Sequence, residues 1–123
     1  VIKVLARTRH ADTHAFSPVA VAAAGEILQA TFSWHDVCGT VELSAPGVTK
    51  GAALARLLEE IGVDAADAVA FGDMHNDLGM LELVGRGYVM ADADPCLLGR
   101  GFTRIGPNNE GAVGEQILRL LDA

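Results

Sequence analysis

Apolar residues recur along this chain in two rhythms. Val1, Ile2, Val4 and Leu5 are β-branched or apolar with alternation, which predicts a strand over residues 1–5. Residues 10–14 are polar and read as a loop. Ser17-Pro18 predicts a helix start, with serine at the cap and proline at the first helical position, and the Ala-rich residues up to 28 continue it. Residues 31–37 alternate as a strand, and Cys38-Gly39-Thr40 reads as the turn into a second strand over 41–45, which Pro46-Gly47 breaks.

Beyond this point the rhythm changes. Leu54, Leu57, Leu58 and Ile61 fall at i, i+3, i+4 and i+7, one apolar helix face, with Thr49 as its cap and Gly62 as its stop. The short apolar run Ala68-Val69-Ala70-Phe71 predicts a buried strand, followed by a polar loop over 72–77 and a helix over 78–84. A strand over 87–90, a short helix over 95–98, a strand over 102–105, a loop over 106–109 and an amphipathic helix over 111–121 complete the order. Helices alternating with short, non-alternating apolar strands predict an α/β fold, a parallel sheet flanked by helices. Residues 1–47 follow a different order and read as a separate lobe from 48–123.

Composition narrows the function. The 123 residues are about one ordinary domain, and half of them are hydrophobic, so a core can be buried. The net charge of −7 repels phosphate backbones, so nucleic acid is not the expected partner, and a phosphate ligand needs a local cation. No apolar run approaches the roughly 20 residues needed to span a bilayer. Cys38 and Cys96 are too few and too far apart for a disulfide framework, and read as free thiols of a cytoplasmic protein.

The segment Gly72-Asp73-Met74-His75-Asn76-Asp77 carries the candidate chemistry. It follows an apolar strand, and in open α/β sheets ligands bind beyond the carboxyl ends of strands. Two carboxylates four apart suit a hard cation with oxygen ligands. The plainer alternative makes Asp73 a helix cap and Asp77 a first-turn acid. In Gly47-Val48-Thr49-Lys50-Gly51, Lys50 stands in the first turn of a helix, beside free N–H groups suited to phosphate; alone it reads first as a solvated surface charge. Lys50 and the Asp73 loop stand at the starts of successive helices and can converge at one sheet edge. His10 and His14, with Asp12 between, have metal-like spacing but no evident third ligand, and read as a solvated loop. His75 could meet substrate or face solvent, and Phe32 and Trp34 read as packing.

Residues 47–51, the run Ala70-Phe71-Gly72-Asp73-Met74-His75-Asn76-Asp77-Leu78-Gly79-Met80-Leu81, Val84-Gly85, Tyr88-Val89-Met90-Ala91 and residues 108–113 together resemble the Cof-type branch of the haloacid dehalogenase superfamily. The likeness covers about the last 80 residues closely; the first 48 resemble the tail of the large α/β cap of that branch. It implies a Rossmann-like core and Mg²⁺-dependent hydrolysis of small phosphate esters, often sugar phosphates. By position Asp73 would ligate Mg²⁺, Asp77 would support it directly or from behind, Lys50 would hold the transferring phosphoryl group, and Asn76 would hydrogen-bond substrate or phosphate.

The family's nucleophile motif, D-x-D-x-[TV], has no counterpart here. Asp92-Ala93-Asp94 mimics it but falls after the Asp73 loop and precedes Pro95. The expectation is therefore the C-terminal part of a longer phosphatase, inactive alone and prone to self-association through an uncovered core face. A phosphomutase-like transferase and a non-catalytic module binding magnesium, phosphate or a partner remain as alternatives.

Overall fold

The computed structural model describes residues 3–32 and 37–123. Val1, Ile2, Trp34 and the middle of the expected strand over 31–37 lie outside the described residues. The chain divides into two compact units, Val1–Thr49 and Lys50–Ala123.

The first unit holds β1 (Val4–Thr8), α1 (Thr13–Ala24), β2 (Gln29–Thr31) and β3 (Gly39–Ser44). Its sheet is antiparallel, in the order β1-β3-β2, with Val4 opposite Leu43 and Gln29 opposite Ser44. The central strand β3 is the most buried of the three. Three expectations shift here. The helix starts at Thr13, not at Ser17-Pro18, because Asp12 Oδ1 accepts from Ala15 N at 2.9 Å and caps it earlier. Pro18 thus lies inside the helix, which gives up one ladder bond; burial of Thr13, Ala20 and Ala24 offsets that loss. The helix also stops at Ala24, ahead of Gly25. Gly39-Thr40 is not a turn but the opening of β3.

The second unit holds α2 (Lys50–Ile61), β4 (Val69–Gly72), α3 (Leu78–Leu83), β5 (Arg86–Val89), β6 (Thr103–Arg104) and α4 (Ala112–Leu121). The sheet is parallel, in the order β4-β5-β6, with Phe71 opposite Tyr88 and Tyr88 opposite Thr103. Ala70, Leu81, Val84, Val89, Met90, Ala93 and Leu97 form its core. The alternation of helix and strand read from the pattern is present, with element ends that differ slightly.

Two differences have clear causes. Residues 95–98 form turns rather than a helix: Asp94 Oδ1 accepts from Cys96 N at 2.7 Å and Asp94 O accepts from Leu97 N at 2.9 Å, so the aspartate closes a tight turn on itself. In α2, Leu57 and Ile61 are 51% and 59% exposed, whereas Gly51 and Leu58 are buried and Leu54 is half-buried. The covered stripe runs along i, i+3 and i+7, narrower than the apolar face in the sequence. The helix ends as its pattern predicts: Gly62 N donates to Glu59 O at 3.2 Å and Val63 N to Leu58 O at 3.0 Å, the paired bonds of a glycine-closed terminus. Among the described residues, no helix is long and apolar enough to cross a membrane.

Candidate active site

The site is assembled at the carboxyl end of β4. The strand runs into Gly72, a loop carries Asp73 and Met74, and a single 3-10 turn over His75–Asp77 leads into α3. Gly72 is not in a left-handed conformation. Its role is room: a Cβ there would lie 2.6 Å from Asp77 Cβ, closer than atoms allow. The absence of a side chain at 72 lets Asp77 fold back under the strand end.

Asp77 is 3% exposed, and both its oxygens are engaged. Oδ2 accepts from Asp73 N and from Met74 N, each at 3.0 Å. Oδ1 forms an ion pair and hydrogen bond with Lys50 Nζ, whose side chain remains about half exposed. A buried carboxylate held by two amides and an ammonium meets the requirement that buried charge be paired.

Lys50 is delivered by a close helix crossing. A Cβ on Gly51 would fall 2.7 Å from the carbonyl carbon and oxygen of Gly79, so α2 and α3 meet backbone against backbone. That contact, one residue after Lys50 and two after Asp77, brings together groups 27 positions apart in sequence.

Lys50, Asp73 and Asp77 line one cleft of about 420 Å³ with Phe71, Met80, Met90, Asn108 and Val113. Asp73 is the half-buried carboxylate of this cleft. Its Oδ2 accepts from Asn108 Nδ2 at 3.0 Å, and its main-chain oxygen accepts from Asp94 N at 2.7 Å. Asn108 also reaches Asp92: its Nδ2 lies 3.2 Å and its main-chain N 3.0 Å from Asp92 Oδ1. Asn108 was not singled out by the sequence pattern. A signal existed, since Asp73, Asp92 and Asn108 each follow the carboxyl end of one of the three parallel strands.

The remaining candidates fall elsewhere. Asn76 and His75 lie in the 3-10 turn and are not among the residues lining the cleft. Asn76 Oδ1 is buried with no hydrogen-bond partner among the described residues. His14 is in α1 rather than a loop, and His10 precedes it, with its main-chain N donating to Thr8 Oγ1 at 3.2 Å. Among the described residues no group of three or more His, Cys, Asp or Glu is placed to hold a metal ion. Magnesium asks less than that: it keeps several waters and takes one or two carboxylates plus substrate phosphate oxygens. Oδ1 of Asp73, which has no hydrogen-bond partner among the described residues and lies in the cleft that Lys50 also lines, fits such a cation. Asp77, whose oxygens are both occupied, fits a supporting place behind it.

Cys96 packs against the core, and its thiol is pushed up to about 12, first by burial and then by the hydrogen bond and charge of Asp94. It stays a neutral thiol through the physiological range, which disfavours its acting as a nucleophile.

The profile of the haloacid dehalogenase-like hydrolases matches residues 1–117. The chain is 36% identical over 90 residues to pyridoxal phosphate phosphatase YbhA of Escherichia coli (strain K12), a stretch that covers 73% of this chain and 32% of that protein. It is 40% identical over 84 residues to HMP-PP phosphatase of Cronobacter sakazakii, covering 67% of this chain and 31% of the relative. The structure matches that of a haloacid dehalogenase-like hydrolase from B. subtilis with a TM-score of 0.81 at 24% identity, over 97% of this chain and 40% of that one. The chain spans about a third of the length of the curated relatives it matches.

Proposed function

The chain belongs to the haloacid dehalogenase-like hydrolases, and from that premise we propose that it forms the phosphate- and cation-holding part of a magnesium-dependent phosphohydrolase acting on small phosphate esters such as sugar phosphates. Residues 48–123 are the C-terminal part of the hydrolase core, and residues 1–47 the end of its α/β cap. The observation that carries this reading is the convergence of Lys50, Asp73 and Asp77 on one cleft at the carboxyl end of a parallel strand. Relatives named as phosphatases of pyridoxal phosphate and of HMP-PP support the same class of small phosphorylated metabolite.

Phosphoryl transfer asks a protein mainly to position groups and neutralise charge. Lys50 supplies the cation. Its ammonium is anchored by Asp77 on one side and open to the cleft on the other, so it offsets charge on the phosphoryl oxygens without having to be ordered first. Asp73 and, behind it, Asp77 would hold Mg²⁺, which when bound polarises the phosphoryl group and screens its charge from the acidic chain. Asn76, in the same loop but off the cleft wall, would reach phosphate or substrate only by turning its amide out of the 3-10 turn. The attacking carboxylate, which forms an aspartyl-phosphate in this reading, comes from outside these residues.

The test begins with the open reading frame upstream of the Val1 codon. An in-frame D-x-D-x-[TV] after an apolar strand supports the reading, and the longer protein then releases phosphate from small esters in a way that depends on Mg²⁺, Lys50 and Asp73. Residues 1–123 alone release none. Sustained turnover by this chain, lost on Asp73→Ala, would overturn the assignment of the nucleophile to residues outside it.

A further inference from the structure

We propose that Asn108, itself held by Asp92, is the positioning residue that sets the orientation of the Asp73 carboxylate and leaves its Oδ1 oxygen free for a divalent cation; the inference rests on the reading of Asp73 as a metal ligand. Asp73, Asp92 and Asn108 come from the segments that follow β4, β5 and β6, with Asn108 opening a 3-10 turn over Asn108–Glu110, and Asn108 Nδ2 is within hydrogen-bond distance of both carboxylates, 3.0 Å from Asp73 Oδ2 and 3.2 Å from Asp92 Oδ1.

The direction of these bonds follows from chemistry. Ionised carboxylates only accept, so the NH₂ end of the amide must face them, and its two hydrogens serve one acceptor each. Asp92 Oδ1 also takes the main-chain N–H of Asn108 at 3.0 Å. The asparagine is therefore gripped twice by Asp92, at its backbone and at its side chain, and directs one hydrogen at Asp73. A carboxylate left to itself turns over a broad range about its last torsion. A bond from a fixed donor to Oδ2 restricts that rotation and gives the two oxygens separate tasks.

The type of donor matters as much as its place. A lysine or arginine at position 108 would neutralise Asp73 and compete with a cation. A neutral amide orients the carboxylate and leaves its charge intact, and Asp92 adds a second negative charge nearby. The cationic donor of the cleft, Lys50, is paired with Asp77 rather than with Asp73. The Asp-x-Asp sequence at 92–94 thereby has a use that needs no nucleophile: Asp92 orients Asn108, while Asp94 N holds the main-chain oxygen of Asp73.

Mn²⁺ titration of the whole chain, followed by calorimetry, tests the inference. Asn108→Ala weakens Mn²⁺ binding roughly 10-fold, the scale of losing a partner that orients a ligand. Asp92→Ala does the same, and Asp92→Asn, which keeps an acceptor oxygen for Asn108, stays closer to the unmodified chain. Equal losses for the two Asp92 variants would make Asp92 a ligand in its own right and overturn the positioning role. An unchanged affinity in Asn108→Ala, with binding abolished in Asp73→Ala, would overturn it too while leaving the magnesium reading intact. Binding that survives Asp73→Ala would instead break the magnesium reading. A metal-free readout then still decides the positioning: the side-chain amide NMR signals of Asn108 shift in Asp73→Ala and in Asp92→Ala, and signals unmoved by either change would show that the bridge is not formed.

Discussion

Two turns in this molecule lead into helices with an aspartate at the junction, and they use it differently. Before α1, Asp12 is exposed and its side chain accepts one bond, from Ala15 N at 2.9 Å, three residues on. Before α3, Asp77 is buried and accepts from two amides behind it and from a lysine in another helix. The first arrangement completes a helix end and nothing more. The second also organises a loop and ties it to a remote charge. An aspartate near a helix start is thus ambiguous, and what separates the two cases is burial together with a partner distant in sequence.

That contrast can be broken by substitution. Because the chain has two units, each variant is best read by hydrogen exchange at amides of the unit concerned rather than by one unfolding free energy. Asp77→Ala has the largest expected effect, about 2–3 kcal/mol of opening free energy for the second unit, since two amides and Lys50 lose their acceptor at once. The amides of Asp73 and Met74 lose protection first. A loss no greater than that of Asp12→Ala would erase the distinction between the two turns. Gly51→Ala follows, at about 2 kcal/mol, because a methyl group must be forced against the Gly79 backbone. Its second signature is weakened coupling between Lys50 and Asp77, read as non-additivity in a double-mutant cycle.

Gly72→Ala costs about 1–2 kcal/mol, and the methyl pushes Asp77 from under the strand end. Asp12→Ala costs about 1 kcal/mol, confined to the first turn of α1. The smallest effect concerns Cys96. The folded thiol ionises near pH 12 and the unfolded one near 9, so the folded chain holds the proton more tightly and stability declines as pH rises between these values. Cys96→Ala flattens that decline, as pH-dependent denaturation of the pair of proteins would show.

Much of the second unit was legible because its signals are local. The Asp73 loop declares itself by an apolar strand that ends in glycine and aspartate, and the approach of Lys50 to that loop follows from two helix starts at one sheet edge; the ion pair of Lys50 with Asp77 does not. What escaped was set by partners rather than pattern. Ser17-Pro18 is a sound helix start, yet the aspartate upstream caps first. Pro95 opens no helix because Asp94 bonds the following amides itself. Leu57 and Ile61 satisfy the apolar period but find no covering partner among the described residues of their unit. Asn108 takes its role from Asp73 and Asp92, 35 and 16 positions away, which its local pattern does not encode.

Where Gly51 meets the backbone of Gly79, no side chain stands between the two helices to act as a cushion. Where side chains separate two helices, the spacing depends on which rotamers they adopt. A stop made of peptide planes has no rotamers to repopulate. The spacing of the backbones that carry Lys50 and Asp77 is set by this crossing, like work set against a machinist's stop, and their side chains span the remainder. Any residue larger than glycine at position 51 would therefore move the starting points of both side chains at once.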